Sequence, residues 1–77
     1  MFTSAQLRSA RAMLKWSLEE LSRRSGVGTT TLKRFESADN VPNGHLSTFH
    51  TLKKIFEEQG IEFIGTPDSQ AGVRWKK

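Results

Sequence analysis

The sequence predicts a small, mainly α-helical domain of four helices followed by a C-terminal β-hairpin, and three observations carry that expectation. Apolar residues recur at helical spacing in four stretches before Gly60. The first two stretches are each opened by matched N-terminal signals, Thr3 with Gln6 and Ser17 with Glu20. Beyond Gly60 the pattern changes to two short runs of β-branched and aromatic residues around a turn-rich segment. The expected division is therefore residues 1–60 as a helical domain and 61–77 as a hairpin, a candidate dimerisation element.

Helix one is expected from Ser4 to Leu14. Thr3 can cap it with Gln6 at N3, and Phe2 and Leu7 form a hydrophobic staple beside that capping box. Leu7, Ala10 and Leu14 make the buried stripe. Arg11 borders this stripe, where an arginine is costly unless it is paired.

The most informative stretch runs from Ser17 to Glu36 and reads SLEELSRRSGVGTTTLKRFE. Ser17 and Glu20 should form a second capping box, with Trp16 and Leu21 as its staple. That helix runs to about Arg24 and stops at Gly26, since glycine takes the left-handed conformation without a Cβ penalty. Gly28 then caps a further helix from Thr29 through Glu36 or Ser37. Leu32 and Phe35 lie on one face of it, leaving Thr29, Thr30, Lys33 and Arg34 for the other. Two short helices joined by a four-residue break, with Leu18, Leu21, Val27, Leu32 and Phe35 spaced for burial, are the signature of a helix-turn-helix. An ordinary helical hairpin in another all-α domain is the competing reading.

Ser37 to Gly44 reads as a loop, because Asp39-Asn40 favours a turn and Pro42 keeps Val41 out of the helical region. Helix four follows from about His45 to Gln59, with Leu46, Phe49, Leu52, Ile55 and Phe56 on its apolar side and Gly60 as its stop. His45 and His50 are five residues apart, off the same-face spacing, and lack accompanying ligands, so no metal site is expected.

In the tail, Ile61–Ile64 and Val73–Trp75 are the expected strands, with the turn-rich residues 66–72 between them. A lone two-stranded hairpin is marginal in water and has two open edges. It can fold onto its own helices or pair with the same hairpin of a second subunit, and the second solution is the one expected.

At 77 residues the chain is near the lower limit for a self-sustaining core. It has no cysteine, which removes disulfides and thiolate metal sites. No apolar run approaches a membrane span and no signal peptide is evident, so a cytoplasmic location is expected. The net charge of +4 is unevenly placed. Residues 1–37 hold seven basic side chains against three acidic, and residues 38–77 hold five against five. The excess thus lies in the half that carries the helix-turn-helix, as phosphate binding requires.

From Leu7 to Ile64 the chain resembles the Cro and phage-repressor-like helix-turn-helix domain, the XRE type. The matching pieces are Arg11-Ala12-Met13-Leu14, Ser17-Leu18-Glu19-Glu20-Leu21-Ser22, Ser25-Gly26-Val27 and Thr31-Leu32-Lys33-Arg34-Phe35-Glu36. Two positions depart from the pattern. Leu18 stands where a phosphate-binding glutamine is usual, and Ser22 replaces an alanine but is small enough to keep the helices close. The resemblance implies an ion pair between Arg11 and Glu36.

It also implies a sequence-specific double-stranded DNA-binding transcriptional regulator, a repressor-type homodimer with no enzymatic activity and no cofactor. Thr29, Thr30 and Arg34 are then expected at base edges. Lys33, Arg23, Arg24, Arg8 and Lys15 are candidates for backbone contact, Lys33 also for a base. A second reading is an antitoxin-like module that binds a partner protein and autoregulates through DNA. An enzyme is not expected, since no glycine-rich phosphate loop or nucleophile, histidine and carboxylate set is present.

Overall fold

Local capping chemistry sets the boundaries of the first two helices. The computed structural model describes residues 1–76 and contains α1 (Ser4–Leu14), α2 (Leu18–Ser25), α3 (Thr29–Glu36), α4 (Leu46–Glu58), β1 (Ile61–Thr66) and β2 (Ser69–Trp75). At the start of α1 the capping box is complete. Thr3 Oγ1 accepts from the Gln6 N–H at 3.1 Å, and Gln6 Oε1 accepts from the Thr3 N–H at 2.8 Å. At α2 only half of the expected box forms: Ser17 Oγ accepts from the Glu20 N–H at 3.0 Å. The Glu20 carboxylate turns instead to Arg23 and Arg24, because charge-assisted bonds to two guanidinium groups outweigh one bond to a neutral N–H. Gly26 ends α2 at φ +76°, its N–H returning to the Ser22 carbonyl at 2.8 Å.

The helices close over a chain of aromatic rings. Phe49 of α4 lies between Phe2 at 4.9 Å and Phe35 of α3 at 5.1 Å, and Phe63 of β1 contacts both Phe2 at 5.2 Å and Phe56 at 6.0 Å. Leu7, Ala10, Leu21, Leu32, Leu52 and Ile61 complete the buried cluster. Each fully buried leucine or phenylalanine contributes roughly 1.5 to 3 kcal/mol of transfer free energy, so this cluster holds the helices in place. Phe2, which the sequence suggests only as a staple, is a full core residue. Leu46 departs the other way. It falls on the apolar stripe of α4 by periodicity but is 55% exposed, because it is the first residue of that helix and the stripe meets the core only from Phe49 onward. Leu14 and Ile55 are half-buried.

The loop between α3 and α4 passes close over the core. A Cβ at Gly44 would lie 2.5 Å from Phe35 Cζ, so the backbone there can cover the ring only as glycine. Ser4 fixes the other end of this loop, its N–H bonding the Asn40 carbonyl at 2.9 Å and its hydroxyl donating to the Phe35 carbonyl.

The hairpin is antiparallel, with Ile61 opposite Trp75, Phe63 opposite Val73 and Thr66 opposite Ser69. Both strands reach further than the sequence suggests, leaving Pro67-Asp68 as the turn. The turn-rich composition of residues 66–72 is absorbed by a bulge, where Gly65 takes φ +75° and Gln70 φ +57°. Inner-face residues Ile61, Phe63 and Val73 pack on the chain's own helical core. Gln6 ties the two together: while its Oε1 caps α1, its Nε2 donates to the Ile64 carbonyl at 3.0 Å and the Gly72 carbonyl at 2.9 Å. The inner face of the hairpin thus takes the other of the two solutions, folding onto the chain's own helices, because that apolar face lies next to the core.

Candidate nucleic-acid interface

The helix-turn-helix is built from one face of each of two eight-residue helices. From α2, Leu21 is fully buried and Leu18 lies partly buried against the core; from α3, Leu32 and Phe35 are fully buried, and Val27 fills the turn between them. With Leu32 and Phe35 turned inward, the opposite face of α3 must point to solvent. Thr30, Lys33 and Arg34 are exposed there, and Thr29 is half-buried. No helix among the described residues is long and apolar enough to cross a membrane.

A family model described as helix-turn-helix matches residues 7–47, which is more than half of the chain. The chain belongs to the Cro/repressor-like, XRE-type helix-turn-helix family. This is a family of DNA-binding transcriptional regulators. The match runs from α1 through the loop and into the first turn of α4; the rest of α4 and the hairpin lie beyond it. No curated protein matches the chain.

Within this helix-turn-helix domain, α3 is clamped at its C-terminal end. Arg11 Nε donates to Glu36 Oε2 at 2.7 Å and its Nη2 to Glu36 Oε1 at 3.0 Å, a two-pronged pair. The same guanidinium donates through Nη1 to the Trp16 carbonyl at 2.9 Å, so one side chain joins α1, the turn before α2 and the end of α3. The hydrogen bond to Glu36 raises the Arg11 pKa above its ordinary value against the opposing effect of burial. Arg8 donates to the Glu36 backbone carbonyl. Glu36 is thus held by its side chain and its main chain at once.

The other basic side chains divide by their partners. Arg34 Nη1 donates to the Asn43 carbonyl, and the guanidinium lies 5.6 Å from the Phe35 ring centroid. That bond ties the outer face of α3 to the following loop. Lys33 is exposed and makes no salt bridge among the described residues. Lys15 is exposed at the left-handed cap of α1, at φ +57°. Arg23 and Arg24 both engage Glu20, and Arg24 also sits 4.4 Å over the Trp16 ring, which stacks on Phe56 at 5.8 Å. These bonds hold the Glu20 carboxyl below the usual carboxylate range, the bond to Arg23 first and that to Arg24 next.

Two participants escape the sequence reading. Sequence alone gives Glu20 a capping role, although its spacing of three and four from Arg23 and Arg24 is the ordinary signal of a helical ion pair. Asn43 carried no local signal, since its carbonyl meets Arg34 only through the path of the loop.

Proposed function

We propose that the chain is a sequence-specific double-stranded DNA-binding transcriptional regulator that places α3 in the major groove. The carrying observation is the solvent face of α3, where Thr30, Lys33 and Arg34 project from a helix whose other face is fixed by Leu32 and Phe35. Thr29 and Thr30, in the first turn, go deepest; threonine meets thymine methyls or phosphate, and Arg34 can bond guanine O6 and N7 once it leaves Asn43. Lys33 reaches base edge or backbone, and Arg8, Lys15, Arg23 and Arg24 are the candidates for backbone contact.

The working unit in this reading is a homodimer on a two-fold operator, with the β1–β2 hairpin as the dimerisation element. Support comes from the open strand edges and from Trp75, which is 52% exposed at the end of β2. In-vitro selection of bound duplexes tests the whole reading. A palindromic consensus, together with a dimer mass by light scattering of the full chain, is the expected result. Selection that yields no enriched sequence would sink the specific reading, and a monomer mass on and off DNA would remove the dimer.

A further inference from the structure

We propose that Glu20 is a built-in stand-in for a DNA phosphate, which holds down backbone affinity by occupying Arg23. The inference rests on the DNA-binding reading above and adds a residue that tunes it. Four basic side chains lie between Ser17 and Glu36. Arg34 donates to a neutral carbonyl and Lys33 makes no salt bridge among the described residues, so both keep their full charge toward DNA. Arg23 and Arg24 instead converge on one carboxylate.

The two arginines are not equivalent. Arg24 has a second partner in the Trp16 ring, and its side chain is 39% exposed. Among the described residues Arg23 has only Glu20, and its side chain is 69% exposed. It is therefore the exchangeable member of the pair. A guanidinium fork donates to a carboxylate or a phosphate in the same two-pronged geometry. Exchanging Glu20 for a phosphate thus breaks one charge-assisted contact for each one it makes, and the exchange adds little net attraction. Because backbone attraction carries no sequence information, Glu20 lowers affinity for every duplex by the same factor. The physical consequence is weaker holding of operator and non-specific DNA alike, with the partition between them unchanged.

The test compares the full-length chain with Glu20→Gln and with Glu20→Gln/Arg23→Gln on a selected operator and on a random duplex, each over a salt series. Glutamine at this position keeps a group able to complete the cap with Ser17, and thermal melts check that all three chains fold. Glu20→Gln is expected to steepen the salt slope by up to about 0.9 and to tighten both duplexes by up to about fivefold at 0.1 M salt, the most that an exposed ion pair withholds. The operator-to-random ratio should stay constant, and the double variant should lose the gain. Unchanged binding by Glu20→Gln, or a gain that persists in the double variant, overturns the inference while leaving the DNA reading intact. A wild-type chain that binds neither duplex overturns that reading, and this inference with it.

Discussion

Removing Arg11 is the sharpest test of how the recognition helix is held. Arg11→Ala deletes three hydrogen bonds, two to the Glu36 carboxylate and one to the Trp16 carbonyl. The Glu36 side chain is only 10% exposed, whereas that of Arg11 is 26% exposed. Breaking a fully buried pair costs about 3 to 5 kcal/mol, and an exposed pair contributes about 0.2 to 1 kcal/mol. The site lies nearer the buried limit because the carboxylate stays behind with little water to solvate it. Allowing for the partial exposure of Arg11 gives roughly 2 to 3 kcal/mol. In a domain of this size 1 kcal/mol moves the melting temperature by about 4 to 8 °C, so a fall of about 8 to 24 °C is expected in a thermal melt followed by circular dichroism. Arg11→Lys should recover only part of the loss, since an ammonium cannot make the two-pronged contact. A double-mutant cycle with Glu36→Gln should show a coupling of at least about 1 kcal/mol. An Arg11→Ala chain that melts within about 1 °C of wild type would refute the argument, because no buried carboxylate could then have lost its partner.

Three further outcomes are expected. Arg34→Ala should cost about 1 to 3 kcal/mol on the preferred operator and relax base choice at one position per half-site; a uniform loss on every duplex in a binding titration would instead place Arg34 on the backbone or in a purely loop-holding role. Gly26 and Gly65 share nearly the same positive φ, but a Cβ at Gly26 meets open space whereas one at Gly65 would lie 2.2 Å from the Gln70 carbonyl oxygen. Gly26→Ala should therefore cost about 1 kcal/mol and Gly65→Ala clearly more in urea unfolding, and equal costs would remove the close-approach explanation. On the hairpin, the Arg74 hydrogen bond at 2.8 Å holds the Glu62 carboxyl below its ordinary range. The unfolded chain then binds the proton first, so this contribution is present above the ordinary glutamate pKa of about 4.3 and fades as pH falls through the lowered value in the hairpin. Glu62→Gln should flatten stability against pH in that acidic window, an effect that shrinks in high salt because the pair is exposed; identical profiles for the two chains would show the pair to be inert.

What the sequence determined by itself was decided within a few residues of chain. Thr3 and Gln6, Ser17 and Gly26 mark helix ends through bonds and dihedral angles that span one turn, so α1 and α2 lie where their caps place them. The periodicity of Leu7, Leu21, Leu32, Phe35, Phe49, Leu52 and Phe56 marks the buried faces for the same reason, and with it the outward side of α3. The spatial arrangement decided the rest, because the competing partners are far apart in sequence. Gln6 looked like a cap residue alone, yet its amide finds the Ile64 and Gly72 carbonyls only once the hairpin has docked. Leu46 follows the helical stripe but lies beyond the reach of the core, a matter of where α4 starts relative to Phe35 and Phe2 and not of its own pattern. Arg34 finds the Asn43 carbonyl through the path of a loop that Gly44 lets settle on the Phe35 ring. Periodicity names the face a side chain occupies; only the packed structure decides which distant group is there to meet it.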